Sequence, residues 1–119
     1  EMGNYYGSVF ERYALREKIR SFFENYGLLI TPTIPCAAFK AGQDVPTNFP
    51  DRNIVSWVYY TYPFNLTGQP AASINAGFTK SNLPIGMQVI SKTNKESDIL
   101  NFCKQFEDNF VDLSKKPNI

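Results

Sequence analysis

Residues 61–90 read TYPFNLTGQPAASINAGFTKSNLPIGMQVI, and this stretch decides the fold. Ala71 to Phe78 and Ile85 to Ser91 are short, apolar and bounded by glycine or proline, which is strand chemistry. Thr79 to Pro84 is a polar link of hairpin length, so the two strands are expected to pair antiparallel. Gly68 permits a positive φ, Pro70 fixes the approach to the first strand, and Asn65 can offer its side-chain amide to loop backbone. Gly86 interrupts an apolar strand, which implies close approach of another backbone or a bulge. Gln88, polar among strand residues, needs partners for its amide if it is buried. These residues have the chemistry of turns and strands, and scaffold roles are expected for them.

Working outward, Ser8 to Asn25 predicts a helix. Val9, Tyr13, Leu15, Ile19, Phe22, Phe23 and the following Tyr26 recur near a 3.6-residue period, with the charged residues mostly between them. Ser8 is the expected N-cap and Gly27 the expected left-handed stop. Leu28 to Ile30, closed by Thr31 and Pro32, suits a strand buried on both faces, of the kind found in parallel or mixed sheets. From Pro32 to Pro50, prolines, Gly42 and the lack of period predict an irregular surface excursion. Asn53 to Tyr62 is aromatic with almost no polar face; its expected form is a short buried helix, capped by Asn53 or Asp51 and ended before Pro63. Asn94 is the expected cap of a last helix with a stripe of Ile99, Leu100, Phe102, Cys103, Phe106 and Phe110, and the tail from Lys115 to Ile119 is expected to fray. The pattern is α/β, a small mixed sheet with flanking helices, in one domain spanning 1–119.

Composition narrows the chemistry. Ten Phe and seven Tyr in 119 residues are too many large apolar side chains for a disordered segment. Twelve basic and eleven acidic residues leave a net charge of +1 with no basic cluster, which argues against a direct nucleic-acid partner. No apolar run approaches the ~20 residues of a membrane span, and the first residues lack signal-peptide character, so a soluble cytoplasmic protein is expected. The chain starts at Glu1 without a methionine, so its first residue need not be the first of the protein. Cys36 and Cys103 form neither a disulfide framework nor a metal cage and are read as reduced thiols. There is no histidine, which removes Ser-His-Asp and Cys-His nucleophile systems and His-containing zinc sites within this sequence.

The block from Tyr62 to Ser73, then Gly77-Phe78, then Leu83 to Ile90, resembles the C-terminal blocks of the amidase-signature family. Tyr26 to Ile34 is similar to the family segment that precedes them, a strand running into Thr31-Pro32-Thr33. The resemblance covers nearly the whole chain and is weakest from Pro35 to Asn53. It implies the C-terminal part of an α/β/α hydrolase fold and amide hydrolysis by a Ser-Ser-Lys triad carried on a Gly/Ser-rich region. A neutral lysine would take the serine proton, and backbone N–H groups would hold the oxyanion. None of the eight serines lies in a Gly/Ser-rich stretch, so no catalytic residue is carried over and the chain alone is expected to be inactive.

The resemblance also implies that Thr31, Ile34, Trp57 and Val58 wall an acyl-binding pocket. The carboxyl end of a strand is a general place for a ligand in open α/β sheets, which agrees for Thr31 and Ile34; a lone tryptophan among tyrosines is more often a core residue than a substrate contact. The family includes general amidases, fatty-acid amide hydrolases and the A subunit of the transfer-RNA-dependent amidotransferase. A-subunit versions tend to carry an acidic residue before the Pro-Xaa-Asn step. Trp57-Val58-Tyr59-Tyr60 has none, which favours a general amidase with an uncharged small-molecule amide substrate. The expected partners are the missing N-terminal catalytic part and, through the apolar face it would leave exposed, a second copy of the chain. No cofactor or metal is implied. A different class of reading, a stand-alone interaction module, stays open.

Overall fold

The computed structural model describes residues 2–47, 49, 53 and 55–112. Its elements in chain order are α1 (Met2–Asn25), β1 (Leu28–Pro32), α2 (Tyr62–Thr67), β2 (Ala71–Phe78), β3 (Pro84–Ser91) and α3 (Glu96–Phe110). The three strands form one sheet in the order β1-β3-β2, with β3 in the centre.

The hairpin expected from residues 71–91 is present, with Ala71 opposite Ile90 and Ser73 opposite Gln88. Its link closes through Thr79 N–H to Leu83 O at 2.8 Å, and Asn82 takes φ 62°, a left-handed value that asparagine tolerates. Near Gly77 the ladder slips by a bulge, where Gly77 has φ 134° and donates its N–H to Asn75 Oδ1. β1 joins the other side of β3, Leu29 opposite Ile90 and Thr31 opposite Gln88. The α/β class with flanking helices holds, while the strand pairings, expected to be mixed, are both antiparallel. Nor is β1 buried on both faces: it lies at the sheet's edge and Ile30 is 49% exposed.

Partners across an antiparallel sheet share a face, and faces alternate along each strand. One face carries Leu28, Ala72, Ile74, Met87 and Val89 and packs on Ile99, Cys103 and Phe102 of α3. The other carries Leu29 and Ile90, which meet Ile19, Phe22 and Phe23 of α1 and Phe64 of α2. Val89 and Ile90 are fully buried, back to back at the centre. Burying each contributes about 1.5–3 kcal/mol.

Several local expectations are corrected. α1 begins six residues before Ser8, whose hydroxyl donates to Asn4 O within the helix, so Ser8 is no cap. Gly27 has no left-handed φ; the helix stops at Asn25 and the chain runs directly into β1. The segment before Pro63 makes turns, with Asn53 Oδ1 accepting the Val55 N–H, while the helix lies one step later as α2, with Pro63 in its first turn. Proline is suited there because the first helical N–H groups have no intrahelical acceptor. Asp51 and the tail from Lys115 to Ile119 lie outside the described residues. Asn65 is exposed on α2 and uses its backbone N–H on Thr61 O. Asn94, with φ 62°, precedes Lys95, which holds the cap position of α3, so it does not cap. On α3 only part of the expected stripe meets the sheet: Leu100 is 66% and Phe110 77% exposed. Gly68 does stop α2 in the left-handed region, φ 78°, with its N–H on Phe64 O.

The molecule is open. Its radius of gyration is 17.1 Å, against about 13.5 Å for a compact domain of this length. The first half of α1 presents Met2, Tyr5, Tyr6, Phe10 and Tyr13 to solvent as one largely aromatic stripe. Arg12 Nε to Leu66 O, 2.7 Å, ties this helix to α2.

Candidate functional site

Beyond Ile90 and Leu29 the face covered by α1 and α2 turns polar. Thr31, Gln88 and Ser73 stand in one row across β1, β3 and β2, and Thr33, Gly86 and Asn75 continue the same face. Gln88 is buried, and its Nε2 donates to Thr31 Oγ1 at 2.9 Å and to Tyr60 O at 3.0 Å. The amide therefore has the partners its burial demands, and it pins the turn before α2 to the sheet. Thr33 Oγ1 and Ser73 Oγ lie 2.6 Å apart, bridging the outer strands over Gly86. A Cβ on Gly86 would stand 2.8 Å from Thr33 Oγ1 and 3.1 Å from Ser73 Oγ, so glycine is what lets the two hydroxyls meet.

Two cavities border this pair. One of about 390 Å³ lies towards α2, between Thr61, Asn65, Gln69 and the polar row. The other, about 470 Å³, is lined by Thr33, Ile34, Cys36, Ser73, Ile85 and Gly86 among others. No charged side chain lines either of them among the described residues. Of the four residues suggested by sequence, Ile34 lines the larger cavity and Thr31 stands in the polar row. Trp57 packs edge-on against Phe39, ring centroids 5.3 Å apart, with its indole N–H buried and unpaired among the described residues. Val58 gives its carbonyl to Thr61 and Tyr62 N–H, a turn contact. Trp57 and Val58 thus border neither cavity, and the segment reaches the polar row through the carbonyl of Tyr60. Thr33, Ser73 and Gly86 were missed as site residues, although Thr31-x-Thr33, Ser73-x-Asn75 and Gly86-x-Gln88 each repeat at the two-residue period of one strand face.

Two tests follow from this geometry. Gln88→Leu keeps most of the volume and strips the donor from the half-buried Tyr60 carbonyl; it is expected to cost about 1–3 kcal/mol, read as a lower urea midpoint at unchanged slope. Cys36 and Cys103 are free thiols. Burial pushes the Cys36 thiol up from its ordinary value, leaving less thiolate at any given pH. Iodoacetamide should therefore alkylate Cys36 more slowly in the folded chain than in urea at pH 8, with the difference closing as pH rises above the folded value; peptide mass spectrometry reads both rates.

Comparison with known proteins places the chain in a family. The amidase family model matches residues 3–100. The A subunit of the glutamyl-tRNA(Gln) amidotransferase of Prochlorococcus marinus subsp. pastoris is 42% identical over 109 residues, 88% of this chain and 22% of that protein. The corresponding protein of Brevibacillus brevis is 34% identical over 103 residues, 85% of this chain and 20% of its own length. The chain thus spans about a fifth of the relatives it matches. Among solved structures, 6-aminohexanoate cyclic dimer hydrolase superposes on 92% of this chain and 25% of its own, with TM-score 0.79 and 26% identity. The glutamyl-tRNA(Gln) amidotransferase protein of the same kind from Thermotoga maritima covers 91% of this chain and 24% of its own, with TM-score 0.74 and 29% identity. A bacterial aryl acylamidase at 21% identity shares the fold, TM-score 0.81. Sequence match and fold agree, and the chain belongs to the amidase-signature family of hydrolases.

Proposed function

We propose that this chain is the C-terminal part of an amidase acting on an uncharged carboxamide, and that the polar half of its sheet walls the substrate pocket. The observation that carries this reading is the Thr33–Ser73 hydroxyl pair in the wall of a mostly apolar cavity with no charged lining among the described residues. Hydroxyls can exchange hydrogen bonds with an amide's C=O and N–H, while Ile34 and Ile85 offer an apolar surface to its acyl part. A charged substrate would find no counter-charge there.

Hydrolysis converts an amide and water into a carboxylic acid and ammonia or an amine. It needs a serine oxygen relieved of its proton, an acyl-enzyme that water then opens, and donors for the oxyanion. Ser73 Oγ has a threonine hydroxyl as its partner, which is no base at neutral pH. The Ser-Ser-Lys chemistry is assigned to the part of the parent protein outside these residues, which is also the principal partner of this chain. The aromatic stripe of α1 is a surface through which the isolated chain would self-associate.

A second reading, the A subunit of a transfer-RNA-dependent amidotransferase, is favoured by the name of the 42% identical relative. Hydrolysis of a panel of aliphatic and aromatic amides, by this chain alone and by the protein with its flanking sequence restored, tests the proposal. Turnover by the longer protein only is expected. Turnover by the short chain would place the nucleophile here, and silence of the longer protein with every amide would leave the amidotransferase reading.

A further inference from the structure

A further basin lies at the opposite end of the sheet from the cleft. Ser91 N–H bonds Pro70 O at 3.2 Å, which sets the approach to β2 beside the end of β3 and brings Gln69 near Lys92. On α1, Arg16, Arg20 and Phe23 follow at the four- and three-residue steps of one helix face and border the same place. Together with Thr93 they enclose a cavity of about 220 Å³. Gly86 of the cleft is roughly 20 Å back along β3 at strand spacing.

The charges around this basin are unbalanced. Arg20 is engaged, its Nε on Glu17 and its Nη1 on Glu24, both at 2.8 Å. Arg16 and Lys92 make no ion pair among the described residues, and no carboxylate lines the cavity there. They are far apart in sequence, and only the fold turns them into a basic cluster. Like charges facing one space repel, and an anion between them relieves the repulsion. The walls are also held in place. Ser91 Oγ, in a fully buried residue, donates to Lys95 O at 2.9 Å, and Lys95 N–H bonds Lys92 O at 3.1 Å. With Asn94 at φ 62°, these bonds fix the turn that carries Lys92 and Thr93. Across the cavity the Gln69 side chain is held on Thr67 Oγ1, and Phe23, 5% exposed, supplies an apolar inner wall.

We propose that this basin binds a small organic phosphate monoester, its phosphate between Arg16, Lys92 and the Thr93 hydroxyl and its apolar body against Phe23. Two unpaired cations match a group that carries about −1.5 to −2 charges at neutral pH. Its three acceptor oxygens suit a guanidinium fork, an ammonium and a hydroxyl. The cavity is smaller than the about 300–1,000 Å³ of most ligand pockets, so the body is limited to about one ring. The site uses none of the residues of the amide cleft and stands or falls without the amidase reading.

Calorimetric titration of phenyl phosphate into the protein with its full flanking sequence tests this. Arg16→Gln and Lys92→Gln are each expected to weaken binding about tenfold or more, since each strips a charged donor from the phosphate. Both side chains are exposed, so the core is untouched. Lys92→Arg keeps the charge and should bind within about threefold of the unaltered protein. Lys104→Gln removes the same charge on α3, where it serves Asp108, and should leave Kd within about twofold. Benzyl alcohol keeps the ring without the charge, and inorganic phosphate keeps the charge without the ring; each should bind at least about tenfold more weakly than phenyl phosphate. No binding of phenyl phosphate, or an unchanged Kd in the Arg16 and Lys92 variants, overturns the proposal. Benzoate binding as tightly as phenyl phosphate overturns the assignment to phosphate, and inorganic phosphate binding as tightly overturns the role of Phe23. None of these titrations reads amide turnover, so an inactive protein that binds phenyl phosphate sinks the functional reading alone.

Discussion

Replacing Gly86 by valine is expected to destabilise the protein by about 3 kcal/mol and to dismantle the cleft with it. The first added atom already stands 2.8 Å from Thr33 Oγ1 and 3.0 Å from Thr33 Cβ. Threonine is short and β-branched and cannot swing clear, and its backbone is held by the N–H bond to Gly86 O. Relief must come from pulling β1 away from β3 or from breaking the Thr33–Ser73 bond. Gly86→Ala meets the same first contact with less bulk and should cost about 1–3 kcal/mol. Combining it with Thr33→Ala, which removes the 2.8 Å contact, should recover part of that loss. Urea unfolding of the three variants reads these values. In the protein with its flanking sequence, the valine variant should also raise KM for amides. A Gly86→Val protein of unchanged midpoint would show that the close approach does not exist.

The second large effect is expected at Ile90. Its side chain is fully buried and packs on Phe23 and Phe64, so it joins α1 and α2 to the central strand. Ile90→Ala removes three carbons from a fully buried place, at an expected cost of about 2–5 kcal/mol. Leu100→Ala, on the exposed side of α3, should change stability by less than about 0.5 kcal/mol. Thermal unfolding of the two variants side by side checks the contrast; a similar loss at both positions would mean that α3 presents a different face to the sheet.

The strands were legible because each is short, apolar and closed by a residue with a fixed backbone habit, such as Pro70 before β2 or the Thr79–Pro84 link. Gly86 and Gln88 were legible as anomalies, and the structure supplies the approach and the partners that those anomalies required. Helix ends were less so. Ser8, preceded by Gly3, Asn4 and Gly7, looks like a cap, yet the helix continues back through those weak helix formers to Met2. The aromatic run before Pro63 suggested a helix by its composition, yet composition cannot separate a row of turns held by Asn53 and Val58 carbonyls from a helix held by the same atoms. The hydroxyl pair was out of reach for another reason. Thr33 and Ser73 are forty positions apart and meet only because β3 lies between their strands.

That strand order also sets a sequence of events in time. β2 and β3 are joined by a tight link, and a hairpin of that kind closes in about 1–10 μs. Of the three strands β1 is made first, and its pairing with β3 must close everything between Pro32 and Pro84. Loop-closure entropy rises slowly, about 0.6 kcal/mol for each doubling of length, so the delay exceeds the thermodynamic cost in importance. During synthesis, Leu28-Leu29-Ile30 therefore waits for β3 while more than fifty further residues emerge. Of the three strands it is the one that waits longest for its neighbour in the sheet.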